Sequence, residues 1–88
     1  MNNARFKCVY TTREVTKAVQ KVTGYRHRYY NDLMARGRRY KFYLQQDEEL
    51  IRDLQKELPL ATVEVGFWTY FDCVVVKVPF APLFSDEK

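Results

Sequence analysis

An 88-residue chain with 47% hydrophobic and 16% aromatic residues is long enough for one hydrophobic core and too short for two, so we expect a single small domain over residues 1–88. Two cysteines exclude a disulfide framework, and no run approaches the roughly 18 apolar residues of a membrane span. We therefore expect a cytoplasmic protein with reduced thiols, no membrane association and a flexible tail over residues 81–88.

The charges are divided along the chain. Residues 1–43 carry eleven Lys and Arg residues against two acids, whereas residues 44–88 carry four against nine. Clustered cations attract phosphates, and the aromatic residues interleaved with them between Tyr25 and Tyr43 offer surfaces for stacking. This pattern favours a binding protein over an enzyme.

The first residues predict a strand and then a helix. Residues 5–10 alternate between two sets of side chains, as a half-buried strand does. Thr11 and Glu14 have the spacing of a capping box, and the apolar residues among 15–22 recur at helical spacing. We predict a helix that begins near Thr12.

The end of this helix is left open by the sequence. The helical phase of the apolar residues survives Gly24, which would allow one helix over residues 12–35 with Gly37 as its C-terminal stop. However, Gly24 costs about 1 kcal/mol relative to Ala inside a helix, and Arg26 would fall in the apolar stripe. We expect a first helix that is long or is kinked or broken near Gly24, or whose end projects from the domain.

The rest of the chain predicts a strand, a second helix and a hairpin. Residues 38–45 alternate, with Tyr40, Phe42 and Leu44 on one side. Residues 47–58 open with three acids and place apolar residues on one face before Pro59, as a helix does. Residues 62–70 and 73–78 are rich in β-branched and aromatic residues and predict an antiparallel hairpin with its turn near residues 71–72.

The predicted order is β-α-β-α-β-β. It indicates an α+β fold, with a four-stranded, mainly antiparallel sheet and both helices on one face. Alternation assigns five cations and three aromatic residues to the uncovered face: Arg5, Lys7, Arg39, Lys41, Lys77, Tyr43, Trp68 and Tyr70. Such a face can hold a phosphate backbone and stack its bases.

The sequence offers little for catalysis. The single histidine, His27, lies between two arginines, and the single serine, Ser85, falls in the predicted tail. The acids at residues 47–49 suit a helix start better than a metal site. We predict no catalytic residues, no metal site and no cofactor.

Our leading hypothesis is a small non-catalytic nucleic-acid-binding protein that recognises backbone charge and single-stranded or distorted bases. The candidate binding residues are Arg5, Lys7, Arg26, Arg28, Arg36, Arg38, Arg39, Lys41, Tyr43, Tyr70 and Lys77. For Tyr25, Tyr29 and Tyr30, packing in the core is the competing interpretation.

The alternative is a protein-binding inhibitor or adaptor that contacts an acidic surface of a larger, nucleic-acid-processing machine. Anti-CRISPR-like and other anti-defence proteins encoded by phages are similar in size and character, although no motif identifies such a family. A third arrangement is a homo-oligomer in which the basic half of one copy meets the acidic half of another.

Overall fold

A computed structural model of the chain describes residues 7–45, 47–68 and 71–81. Two helices and four strands follow one another in the order α-β-β-α-β-β. They are α1 (Thr12–Thr23), β1 (Tyr29–Met34), β2 (Gly37–Phe42), α2 (Glu48–Glu57), β3 (Thr62–Trp68) and β4 (Phe71–Pro79).

The four strands form one antiparallel sheet in the order β1-β2-β4-β3. Both helices cover the same face of this sheet, because the strand residues in the core belong to one side: Tyr40 pairs with Val76, and Phe42 pairs with Val74. Val19 of α1 and Leu54 of α2 belong to the same core cluster. The predicted α+β fold with two helices on one face of a four-stranded sheet is confirmed.

The strand predicted over residues 5–10 is not formed by its described residues, 7–10. In place of a strand, Cys8 forms an isolated bridge to Phe80, in which Val9 donates its N–H to the Pro79 carbonyl at 3.0 Å. Because β3 pairs with β4 no further than Lys77, this short segment occupies the side of β4 that β3 leaves open. Residues 5 and 6 of the predicted strand lie outside the described residues.

Helix α1 begins as predicted and ends at the glycine. Thr11 and Glu14 form the capping box, with Glu14 N–H donating to the Thr11 hydroxyl at 3.1 Å and Thr11 N–H donating to the Glu14 carboxylate at 2.8 Å. Gly24 has φ +84°, in the left-handed region, and its N–H donates to the Gln20 carbonyl at 2.7 Å. A left-handed residue ends a helix, and glycine adopts this conformation without strain.

The chain after Gly24 corrects the prediction of a long or kinked helix. Residues Tyr29–Met34 form β1 and pair along their whole length with β2. Gly37, predicted as a helix stop, is the first residue of β2 after the turn at Ala35 and Arg36. The apolar phase that suggested a helix belongs instead to a strand whose partner lies a few residues further along the chain.

The C-terminal half agrees with the prediction except in its turn. Helix α2 has Asp47 as its N-cap and Leu58 as its C-cap, before Pro59. The hairpin of β3 and β4 is present, but Phe71 and Asp72 belong to β4 and pair with Trp68 and Phe67, so the turn predicted at residues 71–72 is wrong. Residues 82–88, most of the predicted flexible tail, lie outside the described residues.

The structure bears on two predictions made from composition, the state of the cysteines and the lack of a membrane-spanning segment. No disulfide joins Cys8 to Cys73. Within the described ranges, neither helix is long and apolar enough to cross a membrane.

Gly37 provides a test of the strand assignment. A Cβ built on Gly37 would overlap the Val78 carbonyl oxygen and lie 2.8 Å from the Pro79 Cα, both in the paired strand β4. We expect Gly37→Ala to lower the free energy of unfolding by about 3 kcal/mol, at the upper end of overpacking costs. Urea denaturation followed by circular dichroism measures this change.

Gly24→Ala is the matched control. A Cβ at Gly24 meets no atom within 4 Å, so this substitution carries only the cost of a left-handed residue, about 1–2 kcal/mol. An equal or smaller loss for Gly37→Ala than for Gly24→Ala would contradict the close approach of β2 to β4.

Candidate functional site

A groove of about 980 Å³ lies between α1 and the segment that connects α1 to β1. We call it the basic groove and define it by its lining residues. Helix α1 contributes Thr12, Arg13, Thr16, Lys17, Val19 and Gln20; the connecting segment contributes Arg26, His27 and Arg28; and the strands contribute Tyr29 and Phe42.

The helical wall of the groove follows from the phase of α1. Thr12, Thr16 and Gln20 are spaced four residues apart, as are Arg13 and Lys17, so these side chains share one side of the helix. The hydroxyl groups of Thr12 and Tyr40 lie 2.8 Å apart, which attaches the first turn of α1 to β2. Burial raises the pKa of the Tyr40 phenol.

The second wall is held by Thr23, the last residue of α1. Its hydroxyl oxygen lies 2.8 Å from the Val19 carbonyl oxygen, accepts the N–H of Tyr25 at 3.2 Å and lies 3.1 Å from Nε2 of His27. Further along, the carbonyl of Arg28 accepts the N–H of Tyr43 at 2.9 Å. The connecting segment is thus tied to α1 at one end and to the end of β2 at the other.

The charge of the basic groove is positive. Four of its side chains are cations, Arg13, Lys17, Arg26 and Arg28, and none of its lining residues is acidic. Within the part of the chain that the structure describes, no carboxylate lies within ion-pair distance of these four side chains. Cations that line one groove create a positive potential, which attracts anions.

Acidic residues lie against another part of α1. Asp47, Glu49 and Asp53 line a separate depression beside Val22, and Lys21 forms a salt bridge with Glu57 at 3.1 Å. The lining of this depression is therefore acidic, whereas the lining of the basic groove is cationic. Within the described ranges, no group of three or more His, Cys, Asp or Glu residues is arranged to hold a metal ion.

The sheet face opposite the helices, predicted to be uncovered, carries the predicted cations Arg39, Lys41 and Lys77, but Cys73 and Val75 on the same face are buried. Arg39 pairs with Lys77, and Lys41 lies on the same side two residues after Arg39. This face also contains Asp32, which receives two hydrogen bonds from Arg39 (3.1 and 2.7 Å), and Glu64, which lies 2.6 Å from Lys77. These two carboxylates neutralise much of the predicted positive charge.

The other candidate residues are separated. The three arginines around Gly37 point apart: Arg36 lies in the exposed turn, Arg38 donates to Asn31 at 2.6 Å on the helix side, and Arg39 lies on the opposite face. Lys7 lies in the segment that bridges to the end of β4, and Tyr43 follows β2. Arg5 and Tyr70 lie outside the described residues.

The tyrosines occupy three different environments. Tyr29 is half-buried, and its ring packs against Tyr40 and Phe42, with centroids 5.9 and 5.2 Å apart. By contrast, Tyr25 is 71% exposed and Tyr30 is 48% exposed. Packing in the core is therefore confirmed for Tyr29 and is wrong for Tyr25 and Tyr30.

Two of the predicted binding residues, Arg26 and Arg28, line the basic groove. The groove is also lined by Arg13 and Lys17, two cations that were not selected from the sequence. The available signal was the spacing of Arg13, Lys17 and Gln20 on the polar side of α1. It was not decisive, because a helix continuing past Gly24 would have carried Arg26 and Arg28 away from these residues.

Comparisons with protein families, with curated proteins and with solved structures find no match to this chain.

The ion pair of Asp32 and Arg39 generates a prediction about pH. The hydrogen bonds from Arg39 hold the pKa of Asp32 below its ordinary value. A carboxyl group with a lowered pKa stabilises the folded state at neutral pH and loses that contribution as the pH falls through its folded pKa. We expect Arg39→Gln to raise the pKa of Asp32, and the stability difference between wild type and variant to disappear in acid.

An NMR titration of the Asp32 carboxyl carbon measures the pKa, and urea denaturation over the same pH range measures the stability. Lys41→Gln serves as the control, since Lys41 lowers the pKa of Asp32 through a weaker, longer-range interaction. A larger pKa change in Lys41→Gln than in Arg39→Gln would contradict the structure.

Proposed function

We propose that this protein is a non-catalytic nucleic-acid-binding protein that holds a phosphate backbone in the basic groove. The observation that supports this proposal is a set of four cations on two walls that hydrogen bonds hold in place, with no carboxylate of the described residues within ion-pair distance of them. Cations that are neither paired nor needed to balance a neighbouring charge are available to an anionic ligand.

The groove suits a polyanion better than a single small anion. Its cations lie on both walls, with Arg13 and Lys17 on the helix and Arg26 and Arg28 on the connecting segment. The side-chain amide of Gln20 on the helical wall can donate a hydrogen bond to a phosphate oxygen. These groups match a ligand that carries repeated phosphates along its length.

The number of cations sets the expected salt dependence. If each of the four neutralises one phosphate of a single strand, the affinity falls with a log–log salt slope of about 3, since each phosphate contributes about 0.7. Between about 50 and about 200 mM salt the affinity would then drop by about 50-fold.

We expect the double substitution Arg26→Gln and Arg28→Gln to lower this slope by about 1.4 and to weaken binding at low salt. The double substitution Arg13→Gln and Lys17→Gln should act similarly, because it removes the facing charges. Fluorescence anisotropy of labelled oligonucleotides over a range of salt concentrations measures both quantities.

The matched control is Arg52→Gln with Lys56→Gln, which removes the same charge from the exposed residues of α2. This variant should keep the wild-type slope. An equal change in the control would mean that net charge, and not the groove, governs binding.

Absence of binding by the wild type at low salt would overturn the proposal. The alternative partner is then an acidic protein surface. A pull-down with this chain from a nuclease-treated lysate would retain such a protein. A mass that rises as salt falls, without added nucleic acid, would indicate that the acidic side of a second copy occupies the groove.

A further inference from the structure

Tyr25 is an exposed aromatic residue beside the basic groove. It has 71% of its surface accessible, and its ring meets the ring of His27 edge-on, with centroids 6.3 Å apart. His27 itself lines the groove between Arg26 and Arg28. The ring of Tyr25 thus lies next to the line of cations that we propose to bind phosphates.

The position of Tyr25 is fixed by its backbone. Gly24, at φ +84°, directs the chain out of α1, and both backbone polar groups of Tyr25 then meet the Thr23 hydroxyl, the N–H at 3.2 Å and the carbonyl at 3.1 Å. A single exposed tyrosine is ordinary on a protein surface. The hydrogen bond to Thr23 holds the backbone of Tyr25 beside the cationic groove, and the exposed ring that this backbone carries is accessible to a planar group.

A nucleotide offers a planar base within a few ångströms of its phosphate. In a duplex the faces of the bases are covered by their neighbours, so a protruding ring can stack only on an unpaired base. An exposed ring beside a phosphate groove therefore distinguishes single strands from duplexes.

We propose that Tyr25 is a base-stacking residue and that the ligand of the basic groove is single-stranded nucleic acid. This inference rests on the proposed function. Phosphates lie along Arg13, Lys17, Arg26 and Arg28, and one unpaired base covers the ring of Tyr25. Stacking on a tyrosine uses the face of the base and not its hydrogen-bonding edge, so the contact tolerates any base sequence.

The test compares oligonucleotides that have the same phosphates with and without bases. Anisotropy is measured for a labelled oligothymidine, an oligouridine, an abasic strand of equal length and a duplex. Each is titrated with wild type, Tyr25→Ala, Tyr25→Phe and Tyr30→Ala. Tyr30 is the matched control, because it is an exposed tyrosine on the uncovered face of the sheet.

We expect Tyr25→Ala to weaken binding of the base-containing single strands by about 5- to 100-fold, the range for loss of one stacked base. The abasic strand and the duplex should bind the variant and the wild type equally. Tyr25→Phe keeps the ring and should stay close to wild type, as should Tyr30→Ala.

An equal loss on the abasic strand, or no loss on the base-containing strands, would overturn the stacking role of Tyr25. If the groove variant Arg26→Gln with Arg28→Gln still lost affinity in that case, only the stacking inference would fail. If wild type bound none of the four ligands, the proposed function itself would fail.

Discussion

The left-handed turn at Gly24 is the constraint on which the rest of this structure depends. Gly24 caps α1 through its hydrogen bond to Gln20, and the chain then leaves the helix axis. The Thr23 hydroxyl holds the next residues beside the helix, and β1 then begins at Tyr29. Gly24 adopts a conformation that is unfavourable for residues with a Cβ, and it ends α1 there. The chain that follows it lines the second wall of the groove and then begins the edge strand β1.

The fold separates two kinds of cation. On the uncovered face, Arg39 and Lys77 each lie beside a carboxylate, and such partly exposed pairs contribute mainly to register and to a balanced surface. In the basic groove, Arg13 and Lys17 share the lining with Arg26 and Arg28, and none of the described lining residues is acidic. This difference is why we propose the groove, rather than the sheet face, as the site for a phosphate chain.

The elements that the sequence predicted well are those with strong local signals. The capping box at Thr11 marks the start of α1, and the acids before residue 50 mark the start of α2. Strand β1 was missed because Tyr29 and Leu33 are four residues apart, a spacing that suits a helix, and because nothing local reveals the pairing of residues 29–34 with residues 37–42. The same limit applies to the hairpin of β3 and β4, whose turn depends on the register between the two strands.

By itself, the sequence determined the α+β class, the apolar residues of the core and the concentration of positive charge in residues 1–43. Periodicity and capping carry this information because they involve residues within one element. Only the tertiary structure decided which cations are neutralised and which converge. Asp32 meets Arg39 across a turn, Glu64 meets Lys77 across a sheet, and Arg13 and Arg28 line opposite walls of one groove. Such encounters depend on chain reversal and strand register, which long-range packing sets and local patterns do not report.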